Sequence, residues 1–84
     1  PFHHYARALE LRSLGRNQEA LEAMVGVTEN FSDYVPSYLM AAQLAKQLGD
    51  PARAKGLAER GIEAAKRAGN EHALSELSSL LDSL

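Results

Sequence analysis

Apolar residues recur at three- and four-residue intervals along almost the whole chain, in five stretches that short polar segments separate. This spacing is typical of amphipathic α-helices, because residues three or four positions apart lie on the same face of a helix. No stretch alternates between apolar and polar residues for long enough to indicate a strand. The pattern therefore predicts five helices, at about residues 2–14, 17–31, 36–48, 51–67 and 70–83. The apolar stripes extend to Leu48 and Leu84.

Two segments carry the same turn signal 34 residues apart. LGRNQEA begins at Leu14, and LGDPARA begins at Leu48. Their glycines, Gly15 and Gly49, each follow a helical stretch, where glycine can adopt the left-handed conformation that ends a helix. Both segments therefore predict a helix, a very tight turn and a second helix.

Capping residues mark the helix starts that follow these turns. Asp50 precedes Pro51, which combines an N-capping side chain with proline at the first helical position. Asn17 is a weaker form of the same signal in the first segment, and Asn70, directly after Gly69, gives it a third time. We therefore expect helices to begin at all three places.

The predicted helices fall into groups of regular length. Residues 1–34 hold one helix pair, residues 35–68 hold a second pair, and residues 69–84 hold one further helix. A pair of short helices cannot bury its apolar face alone, so such pairs stack, and the stack ends in a cap. The last helix suits the capping role, because leucines mark one face and serines and acidic residues occupy the rest.

The two helix pairs resemble the tetratricopeptide repeat (TPR), a 34-residue unit with the pattern W-x2-L-G-x2-Y, then A-x3-F, then P. The second pair reads Y-x2-A-A-x2-A from Tyr38 and A-x3-A from Ala54. The first pair reads H-x2-R-A-x2-L from His4 and A-x3-M from Ala20. The resemblance covers the whole chain and is strongest in the segments from glycine through the turn to alanine.

The resemblance implies an all-α fold, a right-handed α-solenoid of antiparallel helix hairpins with five helices. It also implies a single TPR-like domain of residues 1–84, with repeats at 1–34 and 35–68 and a capping helix at 69–84. The chain departs from the family pattern because it has no tryptophan and carries Ser32 and Lys66 where the family often has proline. Small residues in place of the aromatic ones would serve close helix contact.

Composition narrows the classes of function. The hydrophobic fraction of 45% is typical of a globular domain. The net charge of −2 gives no bulk attraction to nucleic acid or to anionic membranes, and no apolar run approaches the roughly 20 residues of a membrane span. The absence of cysteine excludes disulfides and thiolate metal sites and fits a reducing compartment, so we expect a cytoplasmic location.

No arrangement of side chains indicates catalysis. His3 and His4 are adjacent, so on a helix they point about 100° apart, and no nearby carboxylate completes a metal site. Glu59 and Glu63 share a helix face but lack the apolar enclosure that acid–base catalysis uses. The serines near the C-terminus have no histidine and aspartate partners. The sequence therefore predicts no enzyme, no cofactor and no metal site.

Surface recognition of another protein is the remaining prediction. In the TPR family the first helix of each pair lines the concave face of the superhelix, and the resemblance places seven residues there. They are Tyr5, Leu9, Arg12, Leu39, Met40, Gln43 and Lys46. Arg12 and Lys46 lie 34 residues apart, so we expect them to stack as a basic ladder beside apolar contacts. Such a groove suits a peptide or helix of a partner with apolar anchors and an acidic end.

A structural role is the alternative. Leu9 and Met40 would then pack against the cap helix or against a helix upstream of this sequence, and Arg12 and Lys46 would be ordinary exposed cations. Two repeats are below the usual minimum of about three. In this interpretation the groove is occupied by neighbouring repeats of a larger solenoid or by a second copy in a homodimer.

Two other partners are not expected. One branch of the family grips the C-terminal carboxylate of chaperones with lysine and asparagine, but Tyr5, Leu9 and Met40 occupy the first three of those places here. Nucleic acid is not expected either, because nine Lys and Arg are scattered among eleven Asp and Glu.

Overall fold

A computed structural model describes all residues from Pro1 to Leu84. It contains five helices and no strand. They are α1 (Phe2–Ser13), α2 (Asn17–Asn30), α3 (Pro36–Gln47), α4 (Pro51–Ala68) and α5 (Glu71–Asp82). The five predicted helices are confirmed, and every predicted end lies within one residue of the observed end.

The predicted glycine turns share one geometry. Gly15 has φ +76° and Gly49 has φ +80°, both in the left-handed region that favours glycine. After each glycine, a backbone N–H donates back into the last turn of the preceding helix: Arg16 to the carbonyl of Leu11, and Asp50 to that of Ala45, both at 2.9 Å. This is the Schellman arrangement. The 34-residue recurrence therefore encodes the same tight turn in both hairpins.

Two of the three predicted caps are confirmed. The Asp50 side chain accepts a hydrogen bond from the backbone N–H of Arg53 at 3.1 Å, and Asn70 accepts one from Ala73 at 3.0 Å. The prediction for Asn17 is wrong, because the N-cap of α2 is Arg16 and no side chain caps that helix. Asn17 lies one residue inside the helix, where its side chain is no longer placed to accept from the first-turn N–H groups.

The helices form two layers. The central helix, α3, packs against α2, α4 and α5. Side-chain contacts join Arg12 of α1 to Met40 of α3, and Lys46 of α3 to Ser83 just after α5. On the other side, Arg53 joins α4 to α2. Thus α1, α3 and α5 form one layer, and α2 and α4 form the other.

Small side chains make up much of the core between the layers. Nine alanines are buried: Ala8, Ala20, Ala41, Ala42, Ala45, Ala54, Ala58, Ala64 and Ala65 each have 1% or less of their surface exposed. Larger buried side chains, such as Leu57 and Leu77, fill the space around them. Alanines at the contacts let the helices approach closely, which compensates for the missing aromatic residues.

Gly61 of α4 lies where three helices meet. A Cβ atom at this position would lie 2.6 Å from the Cβ of Tyr38 in α3 and 3.1 Å from both terminal methyl groups of Leu77 in α5. Tyr38 is itself anchored, because its hydroxyl donates to the carbonyl of Ser32 at 2.7 Å. The close crossing of α4 with α3 and α5 therefore requires glycine here.

Two residues predicted on the apolar stripes lie at the surface instead. Leu48 is 39% exposed and Leu84 is 38% exposed. Leu48 caps the C-terminus of α3, and Leu84 follows the end of α5. Beyond the last helical turn the chain changes direction, so the three- and four-residue spacing no longer points a side chain into the core.

Candidate functional site

The seven residues that the sequence predicts to bind a partner all lie on α1 and α3, within one layer. We call them the α1–α3 face. Arg12, Gln43 and Lys46 are exposed. The four remaining members are half-buried: Tyr5, Leu9, Leu39 and Met40. The face therefore combines fully exposed polar side chains with apolar side chains that are only partly accessible.

Arg12 connects the two helices of this face. Its Nη1 donates to the Sδ of Met40 at 2.8 Å. Burial raises the pKa of Tyr5, the neighbouring Tyr34 raises it further, and the positive charge of Arg12 opposes both effects. Arg12 thus contacts Met40 and carries a charge that acts on the Tyr5 hydroxyl.

Lys46 extends towards α5. Its Nζ donates to the Oγ of Ser83 at 2.9 Å, and that Oγ in turn donates to the carbonyl of Leu80 at 2.6 Å. Arg12 and Lys46 thus each reach to the next helix in their layer. The stacking of the two cations as a ladder stays a prediction, because their contacts are to different helices.

Neither Arg12 nor Lys46 has a carboxylate partner, since no salt bridge in the chain includes either residue. Arg53 in the other layer differs from them, whereas Lys55 and Arg60 of that layer are likewise exposed and in no salt bridge. Arg53 holds both carboxylate oxygens of Glu22, at 2.8 and 2.9 Å. This bidentate hydrogen bond lowers the pKa of Glu22 and raises that of Arg53. The cations of the α1–α3 face are therefore available to an external anion.

The apolar members of the face serve the fold as well. Leu9, Leu39 and Met40 pack against the core cluster with part of each side chain. The rest of each side chain stays at the surface. Internal packing, which the structural interpretation expected of Leu9 and Met40, thus accounts for only part of their surface.

Sequence reasoning missed an aromatic group next to this face. The ring of Tyr34, in the loop between α2 and α3, meets Tyr5 edge-on with centroids 5.5 Å apart. His4 stacks on Phe31 of the same loop at 5.6 Å. The loop also lines a cavity of about 460 Å³. The available signal was the pair of aromatic residues in FSDYV, which flank the turn before α3.

The contact of Lys46 with Ser83 was also missed. No local pattern indicates it, because it depends on where the end of α5 comes to rest against α3.

Other chemistry is sparse. No three His, Asp or Glu side chains cluster in a way that could hold a metal ion. None of the five helices combines the length and the apolar character needed to cross a membrane. Every buried side-chain nitrogen or oxygen has a hydrogen-bond partner, so no orphaned polar group points to a missing ligand in the core.

A scan against sequence models of protein families gives no match. A search of curated protein sequences gives none either. Solved structures do match. A crystal structure of a tetratricopeptide repeat domain protein from Salinibacter ruber aligns with a TM-score of 0.92 at 30% identity, over 99% of this chain and 92% of that chain. The chain belongs to the tetratricopeptide repeat family.

A solution NMR structure of a tetratricopeptide repeat domain protein from Salinibacter ruber agrees, with a TM-score of 0.93 at 30% identity over 99% of this chain and 84% of that chain. The predicted fold class is thereby confirmed: this TPR protein is an all-α solenoid of five helices. It keeps the TPR turns and fills the positions of the bulky family residues with buried alanines, among them Ala45 and Ala58.

Proposed function

We propose that this TPR protein is a non-catalytic protein–protein interaction module. In this proposal the α1–α3 face is the concave groove, and it binds a peptide or helix of a partner. Membership of the TPR family supports an interaction role. One observation carries the choice of surface: Arg12 and Lys46 are exposed without a carboxylate partner, beside half-buried apolar side chains. The expected ligand has apolar anchors and an acidic end.

Each part of the face has a role in this proposal. Tyr5, Leu9 and Met40 offer accessible apolar surface to the anchors of the ligand, and burial of that surface supplies affinity. Arg12 and Lys46 attract the acidic end, which increases the rate of encounter and fixes the direction of the ligand.

We infer that residues 1–84 act as a single domain, with repeats at 1–34 and 35–68 and a capping helix at 69–84. Binding of this kind needs no cofactor. We also propose a cytoplasmic location, which the absence of cysteine supports.

A probe peptide with two leucines followed by a run of glutamates tests the proposal. Removal of both cations by Arg12→Ala/Lys46→Ala should weaken its binding by up to roughly tenfold to thirtyfold at low salt, since each exposed charge contact contributes about 1 kcal/mol at most. The loss should shrink as salt is added, because ions already screen what the substitutions remove. Fluorescence anisotropy at several salt concentrations measures it.

The control is Lys55→Ala/Arg60→Ala, which removes the same net charge from exposed cations of α4. This variant should bind the probe nearly as well as the unaltered chain. Met40→Ala should cause a loss that salt barely changes, because apolar burial does not depend on screening. An equal loss in both double variants would mean that only the overall charge matters, and the α1–α3 face would not be the binding surface.

A further inference from the structure

One side of α1 carries apolar residues that the fold leaves uncovered. Phe2 is 68% exposed and Leu14 is 70% exposed, more than any other large apolar residue of the chain. Phe2 begins α1 and Leu14 caps its end. Since α1 packs mainly against α2, its outer side meets no other helix along its length.

A surface cavity of about 440 Å³ lies along this outer side. It is lined by α1 and its cap alone, through Ala6, Leu9, Glu10, Ser13 and Leu14. The lining positions are three or four residues apart, so they form one stripe along the helix. The stripe offers a mostly apolar depression, and Phe2 projects at the start of the same helix.

We propose that this outer side of α1 pairs with the same surface of a second copy, in an antiparallel two-fold dimer. Two-fold symmetry makes such an interface self-complementary, because each contact occurs twice. In an antiparallel pair the start of one α1 lies against the end of the other. Phe2 then lies over Ser13 and Leu14 of the partner subunit, at the end of the cavity.

Charge favours the same arrangement. Arg7 and Glu10 lie near the middle of α1, are exposed, and take part in no salt bridge within the chain. Antiparallel pairing places Arg7 beside the partner subunit's Glu10, and the reciprocal pair forms at the same time.

The outer side of α5 is polar, which argues against head-to-tail stacking of copies. It exposes Ser75, Glu76, Ser79 and Asp82. The exposed Leu84 follows the end of this helix and borders a different depression, between Leu81 and the start of α4. Phe2, the cavity, Arg7 and Glu10 all lie on α1. Two copies of this surface can therefore complement each other, which is why we assign it to a second copy.

The expected dimer is weak. Each copy contributes one helix of 12 residues, and such a pair buries less than the roughly 1,200–2,000 Å² of a standard stable interface. The association should therefore depend on concentration between micromolar and millimolar. Leu9 borders both surfaces, but Arg12 and Lys46 do not take part in the dimer, so this inference goes beyond the proposed peptide binding and can fail without it.

Sedimentation velocity of the 84-residue chain over that range tests the dimer. The sedimentation coefficient should rise with concentration, and Phe2→Ser should weaken association at least about tenfold, because it removes a large apolar side chain from the interface. Leu48→Ser is the control: it also replaces an exposed apolar side chain with serine, at the end of α3, and it should leave association unchanged. Circular dichroism should show that both variants stay folded.

Charge reversal separates the proposed arrangement from general stickiness. Arg7→Glu alone and Glu10→Arg alone should each weaken self-association, since each places like charges side by side. An equimolar mixture of the two variants should restore dimers, because every pair across the interface is then opposite in charge. A monomer at all concentrations, a dimer that tolerates Phe2→Ser, or a mixture no better than its components would overturn the proposal.

Discussion

Ala54→Asp is expected to unfold the domain or leave it only loosely folded, at a cost of about 4 kcal/mol or more in the free energy of unfolding. Ala54 has no exposed surface and belongs to the core cluster in the first turns of α4. A carboxylate there would lose its water without gaining a hydrogen-bond partner or a counter-ion. A domain of this size has only a few kcal/mol of stability to lose.

Ala52→Asp is the control for that change. Ala52 lies on the same helix, two residues earlier, and is exposed. Its position in the first turn makes a negative charge mildly favourable, because the N-terminus of a helix is partially positive. Urea denaturation followed by far-UV circular dichroism should show a large loss for Ala54→Asp and little change for Ala52→Asp. Equal denaturation midpoints would mean that Ala54 faces solvent and that the packing of α4 is wrong.

Gly61→Ala is expected to lower the free energy of unfolding by about 1–3 kcal/mol, although alanine is the better helix former. The added methyl group would sit 2.6 Å from the Cβ of Tyr38, too close for any real contact. The Cβ of Tyr38 is bonded to the backbone, so a change of rotamer cannot move it away. The Tyr38 hydroxyl also donates to the carbonyl of Ser32, which holds the far end of the side chain. The helices therefore have to separate to accept the substitution.

Gly56→Ala, on the same helix, is expected to stabilise the domain instead. No atom lies within 4 Å of a Cβ placed at Gly56, so alanine fits without displacement. The expected result is a gain of about 0.5–1 kcal/mol, because glycine in a helix interior loses more backbone entropy than alanine on folding. Thermal denaturation of both variants should move the melting temperature in opposite directions. A shift of the same sign in both would contradict the three-helix contact at Gly61.

The helices and turns could be predicted from the sequence because their causes are local. Gly15 and Gly49 end helices through hydrogen bonds to residues at most five positions earlier, and Asp50 caps through the N–H three residues ahead. The failure at Asn17 is local too. A side chain one position inside the helix does not cap it, and the composition of a short turn does not fix that position.

The surroundings of the candidate site could be predicted only in outline. The 34-residue period placed Arg12 and Lys46 at matching points of α1 and α3. Where each side chain points depends on the neighbouring helix: Arg12 reaches the sulfur of Met40, and Lys46 reaches Ser83. The edge-on contact of Tyr34 with Tyr5 likewise depends on how the loop folds back on α1. Such contacts follow from the stacking of helices that are distant in sequence.

Amide chemical shifts measured during titration with the glutamate probe peptide show directly where an acidic ligand binds. The largest ¹H–¹⁵N shift changes are expected on α1 and α3, centred on Leu9, Arg12 and Met40, with much smaller changes when lysines replace the glutamates of the probe. Saturable shift changes confined to α2 and α4, around Glu22 and Arg53, would place the binding surface on the other layer and contradict binding on the α1–α3 face.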